Sequence, residues 1–245
     1  MVVSNKVDYF VIGAGKAGST TLYNIINSFE EFEGSVPKEV RYFSNFYSEQ
    51  DVTWYESHFK NIDCKKSFEA SPQYTFRDEF PNVVTRIKKY NPHAKFIYIL
   101  REPLSRIVSH FNHWHRSDPQ TYSNINSVIW GGGNYRQFIK RTMYFYQLKK
   151  YIDEFGESNL KVLFLEDYQN DLSFFSNELT SFLEIEARQA PVIHSNNVKN
   201  STRKSFSIND MRDETVEFII NSLKDDVRDL RNYVGRLPAQ WQNYW

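Results

Sequence analysis

The sequence predicts an α/β fold, a three-layer sandwich with a central parallel sheet and helices on both faces. Short apolar runs with the character of buried strands alternate with amphipathic helical stripes, and two of those runs pass through a turn directly into a helix. Composition agrees. Of 245 residues, 17% are aromatic and the formal net charge is +0, which suits a chain packed around a core and excludes one held open by its own charge or one that coats nucleic acid. The length is read as a single domain over residues 1–245.

Val7 to Ile12 reads as the first buried strand. Leu22, Ile25, Ile26 and Phe29 then recur at i, i+3, i+4 and i+7, the stripe of a helix. Residues 34–48 carry Pro37 and scattered aromatics without a period and are expected to form a loop. Ser67 to Ala70 is a second strand candidate. Phe80, Val83, Val84 and Ile87 mark a helix, after which "KFIYIL", residues 95–100, is the plainest strand in the chain. Pro103 opens a helix whose Ile107, Val108, Phe111 and Trp114 share a face. "GGGN", residues 131–134, is expected to be a flexible connection. Leu148, Tyr151, Ile152 and Phe155 form a further helix that Gly156 ends, and "KVLFLE", residues 161–166, is another buried strand. Beyond residue 187 the pattern weakens, apart from a charged helix expected over about 208–232. Such a sheet receives ligands at the carboxyl ends of its strands.

Cys64 is the only cysteine, which excludes an internal disulfide and a thiolate zinc cage and fits a reducing compartment. The apolar run Tyr9 to Ile12 is too short for a signal-peptide core, and no later run reaches the length of a membrane span. A cytoplasmic location is expected.

The segment "VIGAGKAGST", residues 11–20, decides the ligand class. Gly13, Gly15 and Gly18 satisfy G-x-G-x-x-G, but a dinucleotide turn also needs a second strand ending in an acidic residue, and around Glu39 the sequence shows no such strand. A Walker A loop has its lysine between a glycine and a Ser or Thr, whereas Lys16 is followed by Ala17. What remains is an anion cradle: backbone N–H groups at a helix N-terminus, one ammonium group, and the hydroxyls of Ser19, Thr20 and Thr21. The alternative is a plain strand-to-helix turn with an exposed lysine.

"ILREPLSRIVSHF" repeats this design at the second junction. Arg101 leaves the carboxyl end of a strand, where a guanidinium grips a phosphate with two donors, and Ser109 follows on the helix. Arg106 reads as a solvated helix residue. His110, His113 and His115 invite a zinc reading, but only the first two share a face and no partner stands at a known ligand spacing. His110 and His113 are expected at a cleft edge or in solvent, and Tyr144, Phe145 and Tyr146 in helix packing.

Two anion sites on one sheet suit a ligand with phosphates at both ends. Here the sequence resembles the sulfotransferases that use 3′-phosphoadenosine 5′-phosphosulfate. "GAGKAGSTTL" is similar to their 5′-phosphosulfate loop, and "LREPLSRIVSHF" to their 3′-phosphate motif, in the same order and the same strand-to-helix contexts. "KEVRYFS", "FEASPQYTF" and the helix before "LKVLFLEDY" are similar to the heparan sulfate, carbohydrate-modifying branch. The resemblance covers most of residues 7–185.

The resemblance implies a P-loop nucleotide-hydrolase-like fold and an O-sulfotransferase that moves a sulfuryl group in line from 3′-phosphoadenosine 5′-phosphosulfate to an acceptor hydroxyl, leaving adenosine 3′,5′-bisphosphate. It implies that Lys16 holds the phosphosulfate and its bridging oxygen with Ala17, Gly18, Ser19, Thr20 and Thr21, that Arg101 and Ser109 hold the 3′-phosphate, and that Glu39 is the general base with Lys38 beside it. Ser71, Tyr74 and His113 are acceptor-side candidates, and Lys199, Arg203 and Lys204 are candidates for a loop over the nucleotide. No metal is required, because lysine, arginine and N–H dipoles take its place. One position departs: Ala70 stands where those enzymes commonly carry lysine, which removes a positive charge from the acceptor side. The implied partner is an oligosaccharide or a small glycosylated or hydroxylated molecule, with no nucleic acid and no membrane span. A P-loop kinase or NTPase using ATP and magnesium, a non-catalytic nucleotide- or glycan-binding protein, and a Rossmann oxidoreductase are the competing classes.

Overall fold

A computed structural model describes residues 6–62, 65–131, 134–193 and 205–245. Cys64, Lys199, Arg203 and Lys204 lie outside the described residues. The elements in chain order are β1 (Tyr9–Gly13), α1 (Ser19–Asn27), β2 (Phe32–Gly34), a π-helical turn (Tyr42–Phe46), α2 (Val52–Glu56), β3 (Lys66–Ala70), α3 (Val83–Tyr90) and β4 (Lys95–Leu100). They continue with α4 (Pro103–Ser117), α5 (Ile125–Trp130), α6 (Tyr135–Phe138), α7 (Tyr144–Phe155), β5 (Leu160–Phe164), α8 (Leu165–Asn170), α9 (Leu172–Leu183) and α10 (Asp213–Val234). Contacts divide the chain into two compact units, Met1–Leu100 with Gln147–Ile193, and Arg101–Tyr146 with His194–Trp245.

The first unit is built on a five-stranded sheet in the order β2-β3-β1-β4-β5, with every pairing parallel. Val11 on the central strand lies opposite Ala70 of β3 and Ile97 of β4. Because side chains alternate along a strand, Tyr9, Val11, Ile97 and Ile99 meet Leu22, Ile25 and Ile26 of α1 and Phe175, Leu179 and Leu183 of α9 on one face. On the other face Phe10 lies 5.7 Å from Phe96 and 5.9 Å from Phe43, and Phe96 meets Tyr151 and Phe155. The high aromatic content therefore forms an interlocking layer of rings, each contact adding to simple burial.

The expected strand at residues 95–100 is β4 itself. Several elements escaped the sequence pattern, α2, α5, α6 and α8 among them, and β2 and α9 matter most for the sheet. β2 has three residues, too few to show a period, and is held by its pairing with β3 (Phe32 opposite Lys66). It lies in the stretch leading into residues 34–48, where a loop was expected, and that stretch also contains the π-helical turn. α9, capped by Asp171 through Phe174 N, buries Phe175, Leu179 and Leu183 at a spacing of four. β5 also ends sooner than expected, with Leu165 and Glu166 already in α8.

In the second unit α4 buries Leu104, Ile107, Val108 and Phe111, and α10 buries Ile219, Leu223, Val227 and Leu230. The charged helix expected over 208–232 is a 3-10 turn (Ile208–Asp210) followed by α10. Asp226 of α10 accepts from the amides of Phe145 and Tyr146, capping the first turn of α7. Among the described residues no helix is long and apolar enough to cross a membrane.

Candidate active site

The chain leaves β1 to lay β2 and β3 on one side of it and β4 and β5 on the other. The carboxyl end of β1 is therefore the switch point at which such sheets open a crevice. The turn there is tight: Ala14 N donates to Ile99 O at 2.7 Å and Ala17 N to Ala14 O at 3.2 Å. Two glycines are required. A Cβ on Gly13 (φ 144°) would lie 3.0 Å from Thr75 Oγ1, and one on Gly18 (φ 97°) 2.9 Å from Leu165 Cδ1. Lys16, at the turn's apex, has φ 70°.

At the start of α1 the N-cap is Gly18, with no side-chain cap and no acidic residue in the first turn. α2, α4, α5 and α9 are each capped by their own Asp, Glu or Asn, whereas α3, α6, α8 and α10, like α1, have no side-chain cap. The α1 ladder begins with Leu22 N to Gly18 O, at 2.9 Å. The amides of Ser19, Thr20 and Thr21 precede it, at the positive end of the helix dipole, where an anion is favoured. Ser19 is buried, Thr20 exposed and Thr21 half-buried. β2 supplies a second strand, but it sits at the sheet edge with β3 between it and β1, whereas a dinucleotide fold sets its first two strands side by side.

Residues 35–41 run along β3, pinned by Ser35 N to Phe68 O, Ala70 N to Lys38 O and Arg41 N to Glu69 Oε1. This places Lys38 between the α1 terminus and Glu39: its Nζ lies 3.5 Å from Ser19 Oγ and 3.2 Å from Glu39 Oε1. Arg41 grips the other carboxylate oxygen, Nη2 at 2.6 Å and Nε at 3.2 Å from Oε2. Burial alone would push the Glu39 carboxyl up, but its bonds and charge attraction to Arg41 and Lys38 outweigh burial and hold it below the ordinary carboxylate range. Burial lowers the Lys38 ammonium, against the pull of Glu39.

Ser71 and Tyr74, expected to face an acceptor, are 0% and 2% exposed. Their hydroxyls donate to Glu69, Ser71 Oγ at 2.5 Å and Tyr74 OH at 2.9 Å, so they brace the loop from beneath.

In the second unit Arg101, Ser105 and Ser109 are half-buried. Among the described residues the Arg101 guanidinium and the Ser109 hydroxyl make no hydrogen bond or ion pair, leaving both as donors for a ligand. The parallel with the first junction stops at the helix terminus. Glu102 accepts from Leu104 N at 2.9 Å and Ser105 N at 2.6 Å, so the first amides of α4 already hold a carboxylate. Arg106 is not solvated: it is 0% exposed and donates to Thr142 Oγ1 at 3.0 Å and to the carbonyls of Gln137 and Phe138. His110 is buried beside it, between Arg106 Nη2 and the indole N–H of Trp114, while His113 is exposed. Among the described residues no three His, Cys, Asp or Glu side chains converge in a metal-holding group.

The family model described as "Sulfotransferase domain" matches residues 6–235. The chain belongs to the sulfotransferase family. The crystal structure of a sulfotransferase from Alicyclobacillus acidocaldarius superposes with a TM-score of 0.76 over 97% of this chain and 99% of that one, at 22% identity, and so shares the P-loop-like sulfotransferase fold. The sulfotransferase domain from the curacin biosynthetic pathway gives 0.51 over 75% of each chain at 14% identity. In sequence, the membrane-associated sulfotransferase kil1 of Dictyostelium discoideum is 31% identical over 126 residues, 47% of this chain and 26% of that protein. The bifunctional heparan sulfate N-deacetylase/N-sulfotransferase 1 of Caenorhabditis elegans is 30% identical over 111 residues, 43% of this chain and 13% of that protein. The chain thus spans about a quarter or less of these curated sulfotransferases.

Sequence reasoning passed over three residues that shape this candidate site. Arg41 sits two positions after Glu39 and reaches back to it through its own left-handed backbone, which no spacing in the sequence signals. Glu69 was visible as a carboxylate inside a buried strand, between Phe68 and Ala70. Glu102 is a carboxylate preceding Pro103, the place of an N-cap.

Proposed function

We propose that this sulfotransferase, acting as one domain over its whole length in a reducing, cytoplasmic setting, moves a sulfuryl group from 3′-phosphoadenosine 5′-phosphosulfate to a hydroxyl of a carbohydrate acceptor. The observation that carries this is the position of Lys38, which joins the uncapped α1 terminus to Glu39. An anion-binding helix end and a carboxylate base lie within reach of one side chain. The amides from Ala17 to Thr21 and the Lys16 ammonium hold the 5′-phosphosulfate, and Arg101 and Ser109 hold the 3′-phosphate through side chains, since Glu102 occupies the α4 amides. The heparan sulfate named for the nematode relative supports a sugar acceptor.

In the step itself the acceptor oxygen attacks sulfur in line with the bridging oxygen. The new O–S bond forms as the old S–O bond breaks, the acceptor proton passes to Glu39, and the departing charge stays on the 5′-phosphate of adenosine 3′,5′-bisphosphate. Little covalent help is needed, so alignment and fixed positive charge at Lys16 and the helix terminus do most of the catalysis. Glu39 is ionised at neutral pH but engaged by Arg41 and Lys38. The acceptor hydroxyl must compete with them for the carboxylate.

Thermal unfolding with adenosine 3′,5′-bisphosphate, ATP with magnesium, or NAD at equal concentration tests the ligand class. At about 100 times its dissociation constant a ligand adds roughly 2.7 kcal/mol, a shift of about 5–10 °C for a chain of this size. The bisphosphate is expected to give that shift and to be released stoichiometrically with sulfated sugar in a turnover assay. A shift with ATP or NAD alone overturns the proposal.

A further inference from the structure

Under the loop that carries Glu39 lies a second carboxylate with no solvent exposure. Glu69 stands in β3, a strand covered on both faces, and collects four donors: Ser71 Oγ at 2.5 Å, Arg41 N at 2.9 Å, Tyr55 OH at 2.9 Å and Tyr74 OH at 2.9 Å. Burial pushes its carboxyl up, while these donors favour the charged form. A buried carboxylate without so full a set of partners would be costly.

One of those donors differs from the rest. Arg41 is a non-glycine residue in the left-handed region, φ 60° and ψ 24°, just before the π-helical turn, and its carbonyl accepts from Asn45 N and Ser44 Oγ. That conformation is disfavoured for an L-residue with a long side chain. The bond from its amide to a buried carboxylate is of the strong, charge-assisted kind that offsets such a cost. The same conformation turns the Arg41 guanidinium back onto Glu39, two residues earlier, with Nη2 and Nε on Oε2.

We infer that Glu69 is a positioning residue for the reaction: by fixing the Arg41 backbone it sets the guanidinium that orients Glu39 and keeps it ionised. This rests on Glu39 being the base. Ser71 reinforces the arrangement, since its Oγ lies 3.3 Å from the same Arg41 amide. Tyr55 contributes to the buried cluster without touching Arg41's amide.

The test compares variants of Glu69, Tyr55, Arg41 and Glu39 by bisphosphate affinity, kcat and the acid limb of kcat/KM. Glu69→Met removes the acceptor for Arg41 N. It is expected to bind the bisphosphate within twofold of wild type, to lose at least tenfold in kcat, and to show the acid limb at higher pH, because a loosened guanidinium no longer holds Glu39 down. Glu69→Gln keeps an acceptor oxygen for that amide and is expected to recover most of the rate. Tyr55→Phe is expected to lower Tm and leave the limb in place. Arg41→Gly, which adopts the left-handed turn freely, should move the limb by itself, and adding Glu69→Met to it should move the limb no further. A Glu69→Met enzyme with the wild-type limb overturns the inference. If that variant does not fold, an Arg41→Gly enzyme with the wild-type limb does so. Should Glu39→Gln turn over at the wild-type rate, the base itself is lost and the inference with it. An inactive Glu39→Gln beside an unmoved limb removes Glu69 alone.

Discussion

Arg41 holds Glu39 through two N–H groups on a single oxygen, Oε2, and leaves Oε1 to Lys38. Both partners favour the charged carboxylate, and Glu39 lies below the ordinary range. If Glu39 takes the acceptor proton, the deprotonated form is active and activity is lost as pH falls through this lowered pKa. The kcat/KM profile is therefore expected to be flat from neutral pH down to the ordinary carboxylate range. Glu39→Gln should cost on the order of 10²-fold or more in kcat, the usual contribution of a positioned base. A wild-type limb centred near neutrality, or near-normal turnover in the variant, contradicts the assignment.

In the proposed reaction Lys16 supplies charge where the leaving phosphate develops it. Lys16→Ala is expected to lower kcat by on the order of 10²-fold or more and to weaken the bisphosphate, since fixed donors to a developing charge commonly contribute that much. Isothermal titration and steady-state kinetics on the same preparation separate the two effects. An unchanged affinity with unchanged kcat would place the phosphosulfate elsewhere.

Gly18 joins this loop to α1 under two constraints at once, φ 97° and a would-be Cβ 2.9 Å from Leu165 Cδ1. Gly18→Ala should cost roughly 1–3 kcal/mol of stability from backbone strain and weaken the bisphosphate by tilting the α1 amides. A variant with wild-type Tm and affinity would show that the turn relaxes freely.

These sites differ in how far the sequence disclosed them. β4 was legible because the apolar run at residues 96–100 bounded by turns has one sensible reading, and the turn at residues 13–21 because glycines, a lysine and three hydroxyls stand together between a strand and a helix. β2 was hidden, since three residues carry no period and only the partner strand defines them. Arg106 misled for another reason. Pro103, Arg106, Ile107, His110 and Phe111 fall at i, i+3, i+4, i+7 and i+8, so the arginine lay on the apolar stripe all along. Its charge outweighed its position in the reading, although a long side chain with paired donors can be buried where acceptors converge. The Glu39–Arg41 contact depends on one left-handed residue, which neither propensity nor periodicity reports.

Arg101 and Arg106 make the contrast testable. Arg106 is fully buried, with Thr142 and two carbonyls as acceptors. Arg106→Leu strands those acceptors and is expected to cost about 2–4 kcal/mol, lowering Tm by roughly 5–15 °C. Arg101→Ala is expected to stay within about 0.5 kcal/mol of wild type in stability while losing bisphosphate affinity. The reverse pattern, a destabilised Arg101 variant and a stable Arg106 variant with weak nucleotide binding, would exchange the roles of the two arginines.

Asp226 makes folding depend on pH near neutrality. Burial raises its carboxyl to about 6, against the amides of Tyr146 and Phe145, and the like charge of Asp229 adds to the rise. A folded-state pKa above the unfolded value means that the folded protein binds the proton more tightly. Its stabilising contribution is thus full below the unfolded pKa of 3.8 and is lost as pH rises through about 6. A shift of about two units corresponds to on the order of 2–3 kcal/mol. Asp8, also raised to about 6 by burial, acts in the same direction. Glu31, Glu39 and Glu184 are lowered and act oppositely, losing stability as pH falls through their own range. Tm should therefore climb as pH is lowered from about 7.5 to 5 and turn down below about 4. Asp226→Asn keeps one acceptor oxygen where the carboxylate has two, which lowers Tm at every pH, and has no proton to bind, so the climb between pH 7.5 and 5 should shrink by Asp226's share. An equal climb in the variant would assign the effect to Asp8 or another group.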